Sequence, residues 1–283
     1  MNLSLIDRAL ALLSGRAEEA PSPSEPARLS RHEVIDRYER DPRSLRGVDL
    51  SGINLSRLDL PGADFSGAIL RDVNAYEANF EGARFVDCDL SGGSFIAADL
   101  TRACLAGANR CSTHLDEAVV RMSGAVLVGA DLTEAHLPWA SFEGADLGAA
   151  ILRGANLNGC DFTGARLEGA DLSGASVRDA RFIGAFLERA NLTQADLTRC
   201  RCAHADLTAA LLVQVCLIEA DLTDTDLTDA DLHNALLGDA DLRRARLDGA
   251  GLTGADLENV RLGGIDLTGV DLSQVTHPPR LFR

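Results

Sequence analysis

Lysine is absent: the 27 basic residues among 283 are all arginine, set against 43 Asp and Glu for a formal net charge of -16. That balance disfavours non-specific binding to nucleic acid or anionic membrane and favours a basic protein partner. Aromatic residues are only 4% of the chain, which suits a core drawn out as a thin column rather than gathered into a ball. The seven cysteines are odd in number and form no CxxC pair, so they read as small buried residues rather than as a disulfide framework or metal site. No Gly-rich phosphate loop or nucleophile and base pairing stands out. The six histidines, at 32, 114, 136, 204, 233 and 277, are scattered, so neither enzyme activity nor a cofactor or metal is expected. The opening apolar stretch is interrupted by Asp7 and Arg8 and has no basic leader. It reads as neither signal peptide nor membrane span, and a cytoplasmic protein is expected.

What the chain does have is a leucine or phenylalanine at every fifth residue, from Leu50 to Leu115 and again from Met122 to Leu272. Of these 45 centres only Ala75, Arg110, Met122, Val177 and Cys202 are neither. Two residues before most centres stands a small one, as in Ala130 before Leu132 and Ala195 before Leu197. A separation of two places both side chains on one side of an extended segment. The remaining three-residue step carries Gly or polar residues and suits a corner. Each pentad is thus one short strand and one bend. Helical, heptad and hexapeptide patterns all need a different period, and so small a unit is stable only when stacked in a solenoid. Phe142, Phe162 and Phe182 recur at twenty, as do Phe65 and Phe85, so four pentads make one turn. At that spacing Asp161 falls beside Arg181, Arg201 beside Asp221, Asp241 beside Arg261 and His204 beside Asp224. Cys88, Cys160 and Cys200 fall in the small inward slot and Cys202 at a centre.

The run of A(D/N)LxG pentads, among them Ala130-Asp131-Leu132, Ala155-Asn156-Leu157 and Ala170-Asp171-Leu172-Ser173-Gly174, resembles the pentapeptide-repeat protein family. The resemblance implies an all-β solenoid, a right-handed four-sided parallel β-helix of about eleven coils and roughly 50 Å. Some members of that family are rods of duplex-like width that mimic DNA on gyrase. The resemblance therefore implies a non-catalytic protein that binds a type II topoisomerase and protects it from inhibitors, an antibiotic-resistance role. Many topoisomerase-binding members pair through a C-terminal helical cap; this sequence shows none, and a homodimer stays open.

The segments outside the repeat are expected to be an amphipathic helix over 1–16 and a Pro-rich linker over 17–29. A capping helix follows over 30–41, signed by a Ser30/Glu33 capping box, a Leu29/Val34 staple and Pro42. The repeat occupies 46–275, with a two-residue insertion within 116–121, and a tail runs over 276–283. Two stretches are candidate partner surfaces. One is the irregular patch 109–123, holding Arg110, His114, Asp116, Glu117 and Arg121, where a scaffold or adaptor would dock a partner. The N-terminal helix offers a scaffold the same service. The other is an Arg-free acidic belt: Asp206, Glu219, Asp221, Asp224, Asp226, Asp229, Asp231, Asp239 and Asp241. It is bounded by Arg199 and Arg201 and by Arg243, Arg244 and Arg246.

Overall fold

The computed structural model describes residues 29–106, 108 and 120–278. Helix α1, Arg31–Arg40, starts at Ser30, whose hydroxyl accepts from the Glu33 backbone N–H while the Glu33 carboxylate accepts from the Ser30 N–H at 2.7 Å. Asp41 closes it, and a 3-10 turn, Pro42–Leu45, leads into the first coil. Val34 is fully buried, Arg31 donates to the carbonyls of Asn54 and Ser56, and the Tyr38 hydroxyl donates to that of Pro61. These contacts seat α1 on the start of the rod.

From there the chain winds as a right-handed four-sided parallel β-helix. Most pentads contribute one bridging residue that pairs in parallel with the residue twenty on, as Asp161 does with Arg181 and Asp171 with Asn191. The pentad Asp171–Ala175 shows why the motif reads as it does. The Asp171 N–H donates back to Ala150 O, the Leu172 N–H forward to Asn191 O, the Gly174 N–H forward to Thr193 O, and the Ala175 N–H to Leu172 O. Only the Ser173 N–H lacks a backbone acceptor, and the Asp171 carboxylate takes it at 3.1 Å. Asn191 does the same for Thr193, and Asn54 for Ser56. Where Asp or Asn precedes the centre, as in these pentads, it therefore completes the backbone accounting of its bend.

Centres and small slots fill the lumen. Phe142, Phe162 and Phe182 stack with ring centroids 4.8 Å apart, and Phe65 on Phe85 at 4.9 Å, the coil spacing itself. At three slots that hold a polar atom, the side chain hands its hydrogen to a carbonyl one coil back: Cys88 to Phe65 O, Cys160 to Leu137 O and Thr225 to Cys202 O, each at 2.9 Å. Burial pushes the Cys88 thiol up to about 12. Cys200 and Cys202 are fully buried, with the Cys200 thiol raised by its hydrogen bond with Cys202 and by burial. Across the insertion the ladder spacing lengthens to 22, in Asp99 with Arg121 and Cys104 with Val126, so the two extra residues leave the register of both flanks intact.

Candidate functional site

Four columns of bridging residues define the faces. Face 1 carries Asp161, Arg181, Arg201, Asp221, Asp241 and Arg261; face 2 Arg166, Phe186, Asp206, Asp226 and Arg246. Face 3 carries Asp171, Asn191, Leu211 and Asp231, and face 4 Ser176, Asp196, Cys216, Leu236 and Asp256. The nine acidic residues of the belt are consequently not one patch. Asp221 and Asp241 lie on face 1, Asp206 and Asp226 on face 2, and Asp231 on face 3, while Asp224 and Asp229 occupy the corners between these faces. Glu219 and Asp239 stand on the corner that turns from face 4 into face 1, beside Asp221 and Asp241.

Arg243, Arg244 and Arg246 do more than bound the belt. Arg244 reaches one coil back to Asp224 at 2.6 Å, Arg246 to Asp226 at 2.7 Å, and Arg243 folds onto Asp241 of its own pentad at 2.7 Å. Arg261 approaches Asp241 at 3.6 Å, and Arg181 approaches Asp161 at the same distance. Arg199 grips Asp179 with two hydrogen bonds, and His233 contacts Asp231. His204 lies 4.0 Å from Asp224. Arg201 and Asp221 are bridge partners without an ion pair. Among the described residues, Asp206, Glu219, Asp221, Asp229 and Asp239 are left with no cation within ion-pair distance. Three of these, Glu219, Asp221 and Asp239, gather on the face 4 to face 1 edge, where with Asp241 and Arg261 they line a shallow depression.

These pairings set the acid response. The Arg244 hydrogen bond holds Asp224 below the ordinary carboxylate range, and that of Arg243 holds Asp241 there. Burial opposes ionisation of Asp171, but hydrogen bonds from Arg153 and Ser173 outweigh it and lower this group too. A carboxylate depressed in the fold stabilises it above the unfolded-chain value, and that contribution is lost as pH falls through the depressed folded value. Urea midpoints are therefore expected to stay level from about pH 7 to 5 and to fall below about pH 4. An unchanged midpoint at about pH 3 contradicts this account.

Of the irregular patch, Arg110, His114, Asp116 and Glu117 lie outside the described residues, as does the segment 1–16. Arg121 has rejoined the ladder, bridging Asp99 and Ser141 and pairing with Asp99 at 3.2 Å. A residue the sequence reading passed over stands nearby: Trp139, the sole tryptophan, is 63% exposed with φ +65°. It holds the second corner position, elsewhere often Gly, and that substitution was the available signal.

The pentapeptide-repeat family model matches over residues 44–74 and 76–109 and, in overlapping copies, over 120–274. The chain belongs to the pentapeptide-repeat family. Among solved members, HetL, involved in heterocyst differentiation regulation in the cyanobacterium Nostoc sp., is 27% identical over 85% of this chain and 96% of its own, with TM-score 0.25. A pentapeptide-repeat protein of the Arabidopsis thaliana thylakoid lumen is 33% identical over 44% of this chain and 71% of its own, with TM-score 0.30. QnrB1, a plasmid-mediated fluoroquinolone resistance protein, is 21% identical over 81% of this chain and 89% of its own, with TM-score 0.32. No curated protein sequence matches the chain significantly. No helix among the described residues is long and apolar enough to cross a membrane.

Proposed function

We propose that this pentapeptide-repeat protein is a non-catalytic rod that binds a basic protein surface along its face 4 to face 1 edge. Its partner, in this reading, is a type II topoisomerase whose DNA-binding surface the rod occupies in place of duplex DNA. The observation that carries the proposal is the uneven pairing of charge. Arginines one coil away pair with Asp179, Asp224 and Asp226, while Glu219, Asp221 and Asp239 cluster on one edge with no ion-pair partner among the described residues. Total charge is not the lever. Duplex DNA of about 50 Å carries roughly 30 charges, nearly twice the net -16 of this chain, so affinity has to come from shape and from those carboxylates.

Gyrase supercoiling with and without a quinolone tests this. Wild type at micromolar concentration is expected to inhibit the enzyme or protect it, and the E219Q/D221N/D239N variant to lose that effect with its melting unchanged. Asn at 221 keeps the bend, because Asn54 and Asn191 accept the same backbone N–H. Absence of inhibition, protection and binding by wild type sinks the topoisomerase reading.

A second reading, a scaffold that docks a partner near the 109–123 patch, draws on Trp139. An exposed aromatic ring held on a rigid corner, within the first twenty residues after the segment 109–119, has the character of an interface anchor. Trp139→Ala is expected to abolish partner binding under that reading and to leave the gyrase effect intact.

A further inference from the structure

Between residues 201 and 240 the rod departs from its own motif. From Leu211 to Ile218 only Gln214 is polar. The outward positions Leu211, Val213, Cys216 and Ile218 are apolar, where the pentads begun by Asp171 and Asn191 hold Asp, Asn, Ser and Thr. Leu211 on face 3 and Leu236 on face 4 are 45% and 44% exposed. Cys216 bridges Leu236 directly, and Val213 turns the corner between Leu211 and Cys216. These side chains are neighbours over two adjacent coils, unlike apolar residues scattered singly on a surface.

The rod's own packing does not call for them. Leu212, Leu217 and Leu237 already fill the lumen at these pentads, so outward leucines add nothing to the core. They also forgo a hydrogen bond. Asp171 accepts the N–H of Ser173, and Asn191 that of Thr193. Leu211, Cys216 and Leu236 occupy the same place in their pentads, and the N–H groups of Val213, Ile218 and Gly238 find no acceptor among the described residues. A local rule broken without gain to the fold is the mark of a contact outside it.

The apolar patch abuts the acidic edge. Ile218 stands on the face 4 to face 1 corner next to Glu219, Asp239 follows one coil on, and Asp221 begins face 1. Apolar on one side and anionic on the other, the surface fits a partner with the converse pattern. Apolar side chains seated on Leu211 and Leu236 would anchor it, and cations at the edge would steer and orient it. An anionic membrane is repelled by the same carboxylates, and a second copy of this chain brings its own net charge of -16.

We propose that Leu211, Cys216 and Leu236 form the apolar half of a binding surface whose acidic half is Glu219, Asp221 and Asp239. Its occupant is a segment of another protein in which large apolar side chains stand next to Arg or Lys. The inference rests on the reading of this edge as the contact surface and adds that charge alone does not hold the partner.

Fluorescence anisotropy at about 0.15 M salt tests it with two short synthetic peptides, one of interspersed Leu and Arg and one with Ser in place of each Leu. Wild type is expected to bind the Leu-Arg peptide at least about tenfold more tightly than the Ser-Arg peptide. L211N/L236N is expected to lose that preference while melting no lower than wild type, because Asn at these positions supplies the missing acceptor, as Asn191 does. E219Q/D221N/D239N is expected to weaken both peptides. Equal affinity of wild type for the two peptides overturns the inference, as does an unchanged preference in L211N/L236N. If the triple variant still weakens both peptides in that case, the acidic edge stands as the contact surface without the apolar half. Loss of the preference in L211N/L236N, with gyrase unaffected by wild type, supports this inference and sinks only the topoisomerase reading. A wild-type dimer in sedimentation that L211N/L236N converts to monomer also overturns it, since a second copy would then be the occupant.

Discussion

Phe162→Ala is expected to destabilise the rod by about 3–5 kcal/mol, the range for deleting a large aromatic side chain from a packed core. Phe162 is fully buried and is the middle ring of three, with Phe142 and Phe182 each 4.8 Å away and nearly parallel to it. Removing it deprives both neighbours of a stacking face and opens a void inside a column that has no lateral freedom to collapse, because each coil is tied by backbone hydrogen bonds to the coils before and after it. Phe162→Leu is expected to cost far less, about 1.5 kcal/mol or under, since leucine is the usual occupant of a centre. Equilibrium urea unfolding with circular dichroism measures both. A loss below about 1 kcal/mol for alanine would mean that neighbouring coils close over the gap, contrary to the nearest-neighbour packing of solenoids.

That prediction rests on features legible in the sequence, because the inward half of each pentad is fixed by packing alone. Leucine or phenylalanine at the centre and alanine two before it leave one way to stack, and the twenty-residue return of Phe142, Phe162 and Phe182 gives the coil. The outward half was less legible, since its side chains choose among partners at similar distance. Arg243 and Arg244 are adjacent in sequence, yet one binds Asp241 two residues back and the other Asp224 twenty back. Arg201 and Asp221 stack as expected but form no ion pair. Nor does charge counting reveal that Asp171 and its equivalents serve the backbone: their partner is the one N–H that the ladder leaves over, visible only when every donor of the pentad is traced. The acidic run 206–241 consequently read as a belt, while folding spreads it over three faces and their corners and gathers three carboxylates without an ion pair on one edge. Arg121, read as part of an irregular patch, is held by the regular ladder.

Gly159→Ala is expected to report on a corner where an aromatic side chain sits against the next coil. Gly159 has φ +70°, and a Cβ there would overlap the Trp139 ring. Left-handed backbone costs a non-glycine residue about 1–2 kcal/mol, a cost this fold accepts at Ala97, Ala149 and Ala209. Gly164→Ala supplies the control, because Gly164 has φ +65° but open space around its Cα. Both variants should therefore lose about 1–2 kcal/mol from the backbone; only Gly159→Ala should lose more, through displacement of the ring. As Trp139 is the sole tryptophan, its emission is expected to shift in Gly159→Ala and to stay unchanged in Gly164→Ala. The excess destabilisation should vanish when Trp139→Ala is added, as a double-mutant cycle requires of a direct contact. Identical stabilities and spectra for the two glycine variants would mean that the ring does not rest on Gly159. If the contact holds, the exposed indole is fixed in place before any partner arrives, which reduces the ordering entropy lost on binding.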